Sequence, residues 1–209
     1  EETGMYGAFA LEGGLLQGKT LLNLDSEAEG ELYVGCAGGV DTTAKFAYTP
    51  VEVEEGDVAV KVSVTGCKGG HSGCDIHLQR ANANKLLFRF LKEAVANYEA
   101  RLASVEGGSL RNAIPREASA IITIPAEGLD EVMDLVAEFE DLFVAEYDGV
   151  EDNIRFMAEQ VECPATELPE DVQDFLIHAI TACPHGVYRV IPEMPDVVET
   201  SNNLAMLKT

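Results

Sequence analysis

The constraint that narrows the fold most is a change of period. Val58, Val60, Val62 and Val64 alternate with Ala59, Lys61 and Ser63, the signature of a strand with one apolar face. Some twenty residues later Ala83, Leu86, Leu87, Phe90, Leu91, Ala94, Val95, Tyr98 and Leu102 recur at three and four, which predicts a helix from about Gln79 to Ala103. RNAIPREASAIITIPA then supplies a turn at Ile114-Pro115 and a strand over Ala118 to Ile124. Leu129, Val132, Leu135, Val136, Phe139, Leu142 and Phe143 mark a second helix, closed by Asp148-Gly149, and Asn153 to Gln160 reads as a strand. The order strand, helix, strand, helix, strand, with room for a further strand near Ser104 to Leu110, is that of a split βαβ layer: α+β, ferredoxin-like, helices on one face of an antiparallel sheet.

The flanks carry less pattern. A third helix is expected from Pro169-Glu170-Asp171, with proline in its first turn and acids that complement the dipole, to about Cys183. Two short strands are expected around Ser201-Asn202-Asn203, and antiparallel β from Val40 onward. At the start, a short helix, a glycine loop and an apolar strand, Thr20 to Leu24, lead to Asp25. A composition shift at Gly38-Gly39 divides an opening piece, 1–38, from a larger domain, 39–209. The chain opens on Glu1-Glu2 without a methionine and stops at Lys208-Thr209 after an apolar run, so it is expected to be part of a longer protein.

Charge excludes some partners. The 37 Asp and Glu against 14 Lys and Arg give a net charge of −23. Nucleic acid and anionic membranes both need a basic surface and are poor partners for it. No apolar run approaches the eighteen or so residues of a membrane span, and no signal peptide is expected. The five cysteines are odd in number and form no CxxC pair, which argues against a disulfide framework or structural zinc and favours a reducing cytoplasm.

Three stretches can carry chemistry. Glu1-Glu2 is either the exposed start of a helix or, with Asp25, a set of hard oxygen ligands in which one glutamate acts as base on a metal-bound water. His71 sits in Gly69-Gly70-His71-Ser72-Gly73, where glycine permits a tight turn that thrusts the imidazole outward; the alternative is a loop histidine bonded to local backbone. Asn112, in the proline-held turn RNAIP, either serves that turn or offers its amide to a substrate. His77 reads as a surface residue, His178 as a packed or rim histidine, and His185 as a cap on the third helix.

Taken together, EETGMYGAF, LLNLDSEAEGELYVGCAGGVD, GCKGGHSGCDIHLQRANANKLL, RNAIPRE and VVETSNNLA resemble successive motifs of the aminoacyl-histidine (Xaa-His) dipeptidases, di-zinc metallopeptidases related to carnosinases and carboxypeptidase G-type enzymes. The resemblance implies a lid domain over 39–209 and, in 1–38, a remnant of an α/β catalytic domain. It implies Glu1 as the catalytic base, Glu2 and Asp25 as metal ligands, His71 as the lid residue that reaches the scissile carbonyl, in its own or a partner subunit, and Asn112 as a substrate-binding residue. It further implies two zinc ions in the full-length enzyme, dipeptide substrates and a homodimer formed through the lid. The remaining metal ligands of the family fall outside this chain, so the chain alone is expected neither to hold zinc nor to turn over peptides. The rival expectation is a non-catalytic dimerisation or interaction module.

Overall fold

The computed structural model describes residues 6–24 and 29–209. It divides into two compact units, residues 1–42 and residues 43–209.

In the first unit the described residues form one short helix, α1 (Tyr6–Phe9). The strand expected over Thr20 to Leu24 is absent, and Leu21, Leu22 and Leu24 are 85%, 77% and 88% exposed. A strand exists only where its backbone groups find partners, and no neighbouring strand is supplied among the described residues.

The second unit contains β1 (Val51–Glu52), β2 (Asp57–Thr65), β3 (Gly70–His71), α2 (Ala83–Asn97), β4 (Arg101–Gly107), β5 (Ala113–Ile114), β6 (Ala118–Pro125), α3 (Leu129–Glu146), β7 (Arg155–Val161), β8 (Thr166–Glu167), α4 (Glu170–Ala182), β9 (Gly186–Ile191), β10 (Met194–Asn202) and β11 (Leu207–Lys208). Five strands make one antiparallel sheet in the order β11-β4-β6-β2-β7. Since β6 separates β2 from β4, and β2 separates β6 from β7, each strand–helix–strand unit is split by a strand of the other. That is the expected ferredoxin-like layer, with β11 added at one edge.

The alternation along β2 does what the sequence asks of it. Val60, Val62 and Val64 are fully buried against the helices, with Leu86, Leu87, Phe90 and Leu91 of α2 facing Ile122 and Ile124 of β6. Phe90, Phe139, Phe143 and Phe156 close the core as edge-on rings 4.9 to 5.6 Å apart, joining α2, α3 and β7.

The first long helix is shorter than its apolar stripe. It starts at Asn82, whose side chain accepts from the Lys85 amide, and Glu99, at φ +53°, turns the chain out after Tyr98. Leu102, which continued the stripe, belongs instead to β4 and is buried from the sheet side. No strand forms between Val40 and Pro50, and β10 pairs with β9 upstream of it rather than folding about Ser201-Asn202-Asn203.

His185 does not cap α4. The Lys85 ammonium does, donating to the carbonyls of Ile180, Thr181 and Cys183 at 2.8, 3.0 and 2.8 Å, where a cation meets the negative end of the helix. His185 Nδ1 instead faces the Asn82 amide at 3.1 Å. Burial, with the Lys85 charge second, pushes the His185 pKa down from 6.5 to about 4. Between those values the unfolded chain binds a proton that the folded chain refuses, so this contribution to stability is lost as pH falls from 6.5 toward 4. Denaturation of His185→Gln across that window is expected to show a stability difference from the unchanged chain that shrinks as pH falls. A constant difference contradicts the assignment.

Candidate functional site

The loop from Cys67 to Ala81 joins β2 to α2 and carries His71. Gly69 and Gly70 have φ of +63° and +141°, conformations that side chains resist. A Cβ on Gly69 would lie 2.4 Å from the Arg116 side chain, and one on Gly70 2.6 Å from Arg80 and 2.7 Å from Asp75. The tight passage lets β3 pair with β5, His71 opposite Ala113, while the Ser72 amide donates to the Asn112 carbonyl at 2.9 Å. The fold thus brings His71 and Asn112, forty-one positions apart in sequence, to one small ribbon.

The His71 ring is both exposed and bonded to local backbone: Nδ1 accepts the amide N–H groups of Gly73 and Cys74 at 3.0 and 3.1 Å. Gly73 makes room for this, since a Cβ there would come within 3.3 Å of the ring. The backbone is gripped too: the His71 amide donates to Asp75 Oδ2 at 2.8 Å and the Asp75 amide to the His71 carbonyl at 3.0 Å. A ring nitrogen that accepts two donors carries no proton, so the hydrogen-bond pattern assigns the neutral imidazole's proton to Nε2. The outer nitrogen is therefore a donor, suited to a carbonyl or oxyanion.

Asn112 does not hold its own turn. The bonds that do run from Ala113 N to the Leu110 carbonyl and from the Asn203 amide to the carbonyls of Ala113 and Arg111, at 2.8 and 3.5 Å. The Asn112 side chain, half-buried, takes no part in them.

The segment Arg80-Ala81-Asn82-Ala83-Asn84-Lys85, read above as a family motif, works as a staple. Arg80 donates to the Gly69 carbonyl at 2.6 Å, Asn82 and Asn84 to the Leu204 carbonyl at 3.1 and 3.2 Å, and Lys85 to the end of α4. The reading of this region missed Glu151. Only 8% exposed, its carboxylate accepts the Lys68 amide at 2.7 Å and the Ala81 amide at 2.9 Å. Nothing in the acid-rich run Asp148-Gly149-Val150-Glu151-Asp152 distinguishes that carboxylate from a solvated one.

Glu1, Glu2 and Asp25 lie outside the described residues. Among the described residues no three His, Cys, Asp or Glu gather as a metal site needs. Glu2 and Asp25 alone are fewer than the three or four converging ligands of a tight zinc site. His77 and His178 are exposed on separate elements. Cys67 is buried at the foot of the loop, and burial, with Glu151 adding, pushes its thiol up to about 12, which leaves it unreactive.

Residues 62–151, which include His71, Asn112 and Glu151, match the family described as peptidase dimerisation domain. The cytosol non-specific dipeptidase of Escherichia coli (strain K12) is 41% identical over 207 residues, 99% of this chain and 43% of that protein. A crystal structure of aminoacylhistidine dipeptidase from Vibrio alginolyticus superposes with a TM-score of 0.83 at 41% identity, over all of this chain and 43% of the other. The chain is similar to these dipeptidases over its whole length. It spans less than half the length of the dipeptidases it matches, and the residues that match the dimerisation-domain family, 62–151, lie in the unit that carries the five-stranded layer. No helix among the described residues is long and apolar enough to cross a membrane.

Proposed function

We propose that this chain is the lid, residues 39–209, and a piece of the catalytic domain, residues 1–38, of a cytoplasmic, zinc-dependent dipeptidase that hydrolyses Xaa-His and related dipeptides. The observation that carries the reading is the His71 ring, exposed with Nε2–H as its outward group and Asn112 beside it. In this reading His71 donates from Nε2 to the scissile carbonyl, and the Asn112 amide holds the substrate. Glu1 serves as base, and Glu2 and Asp25 contribute carboxylates to a metal site whose other ligands lie in the longer protein. The geometry favours a donor over a base at His71, because Nδ1 is already occupied by two amides.

The test compares two proteins. The longer enzyme is expected to hydrolyse Xaa-His dipeptides, to lose turnover to a chelator and to regain it with zinc, while the 209-residue chain under the same conditions turns over nothing. Zinc-restored turnover by the short chain overturns the reading, as does a longer enzyme indifferent to metal removal.

A second reading, that the domain serves association alone, has support in the family's description and in β7, which pairs only with β2 among the described residues and leaves its outer edge open. The two are separated by whether His71 matters to turnover or to dimer formation.

A further inference from the structure

We propose that Glu151 is the positioning residue of the His71 loop: by bridging the two feet of that loop it holds the Gly73 and Cys74 amides against Nδ1 and so keeps the ring as the Nε2–H donor. The proposal rests on the reading of His71 as carbonyl donor for its catalytic consequence, but not for its structural one.

The loop leaves β2 at Cys67 and ends at Ala81, just before the Asn82 cap of α2. Those two points are where backbone amides would otherwise be orphaned, and a buried unpaired N–H is costly. One carboxylate satisfies both: Glu151 Oε2 takes the Lys68 amide at 2.7 Å, Oε1 the Ala81 amide at 2.9 Å. Lys68 returns the contact, its ammonium donating to the Val150 carbonyl at 2.6 Å and pairing with Asp152 at 2.8 Å. The loop's carbonyls are tied from the other side, Cys67 by Arg116 at 3.2 Å and Gly69 by Arg80 at 2.6 Å.

Glu151 hydrogen-bonds neither His71 nor the ring's partners; its oxygens take the Lys68 and Ala81 amides. It acts by setting the separation of the loop's ends, and the amides of Gly73 and Cys74 meet Nδ1 only while the turn between those ends keeps its shape. Two amides against one oxygen each require an ionised or doubly accepting group; glutamine, with a single oxygen, leaves one amide facing an NH2.

The experiment uses Glu151→Gln in two settings. In the isotope-labelled 209-residue chain, long-range proton–nitrogen correlation of the His71 ring reports the tautomer without any activity. The unchanged chain is expected to show the Nε2–H form alone, and Glu151→Gln a mixture, with faster exchange of the Gly73 and Cys74 amides and unaltered protection in β2 and β6. In the longer enzyme the same change is expected to lower kcat about tenfold to a hundredfold with little effect on KM, the size of loss that loosened positioning brings. In a His71→Ala background it should cost less than about twofold, because coupled residues do not add.

An unaltered ring pattern and unaltered amide exchange in Glu151→Gln overturn the proposal, and so does a mixed pattern in the unchanged chain. Should Glu151→Gln lose the sheet, Glu151→Asp, which reaches one amide only, takes its place; loss of sheet protection in both also overturns it, since the carboxylate would then support the domain and not the loop. If His71→Ala leaves turnover intact, the catalytic reading fails while the ring measurement still stands.

Discussion

On the function proposed above, replacing His71 by alanine in the longer protein is expected to lower kcat by a factor on the order of 10²–10³, the loss typical of one oxyanion donor, and to leave subunit association unchanged. Gly69 and Gly70 turn the chain where no side chain fits, Gly73 makes space for the ring, and two amides occupy Nδ1. What remains is an outward N–H on Nε2, and an interaction realised only as charge develops on the carbonyl oxygen raises kcat more than it lowers KM. Glutamine at the same position, with a donor but no ring for the Gly73 and Cys74 amides to hold, is expected to recover little. Mixing His71→Ala with Glu1→Gln subunits identifies whose site the ring serves. Heterodimers regain turnover if it crosses to the partner and stay inactive if it does not. Unchanged turnover with impaired association in His71→Ala reverses the assignment in favour of an association module.

The second large effect concerns folding and is measured on the 209-residue chain. Gly66 directly follows β2 with φ +78°, and a Cβ built there falls 1.8 Å from the Asn153 carbonyl oxygen. That oxygen belongs to backbone entering β7, whose Arg155 is registered with Thr65, so relief requires the edge strand to move. Gly66→Ala is therefore expected to cost about 3 kcal/mol or more, from overpacking and strained backbone together. Gly56 provides the comparison, with φ +101° and nothing within 4 Å of the added atom. Gly56→Ala should cost only the conformational part, about 1–2 kcal/mol. Urea denaturation of the two variants side by side checks this, and a Gly66→Ala chain no less stable than Gly56→Ala would show that β7 yields more easily than its register implies.

Much of the layer was legible because its signals are local. The alternation along Val58 to Val64 and the apolar stripe from Ala83 to Ala94 each report one face of one element, and both faces are buried as their periods require. The stripe overran the helix because Leu102 keeps the helical spacing by coincidence, while the signal that ends the helix, a non-glycine residue at positive φ, has no mark in the sequence. Thr20 to Leu24 reads as a strand on composition alone, but strand formation is decided by partners, and none is supplied among the described residues. His71 announced itself through the glycines around it. Its positioning did not: Glu151 lies 83 residues from Lys68 and 70 from Ala81 along the chain, and Asn203 lies 90 from Ala113. Contacts of that separation leave no periodicity, and a buried carboxylate looks like any other acid in a chain of net charge −23.

Charge-led reading was similarly blind to Lys85. On a helix face it passes for a solvated lysine, yet its ammonium gathers three carbonyls at the end of α4, and burial holds its pKa below the ordinary lysine range. The segment Arg80 to Lys85 therefore belongs to the resemblance for a structural reason. It ties the loop, α4 and the strand-like return at Leu204 and Ala205 to the start of α2.

The most direct test of the account is a crystal structure of the longer enzyme with a phosphinate dipeptide, whose tetrahedral phosphorus mimics the attacked carbonyl. The account predicts His71 Nε2 within about 2.7–3.1 Å of a phosphinate oxygen, with Nδ1 still facing the Gly73 and Cys74 amides. A ring that turns Nδ1 to the inhibitor, or that stands clear of both oxygens in the closed complex, would contradict it.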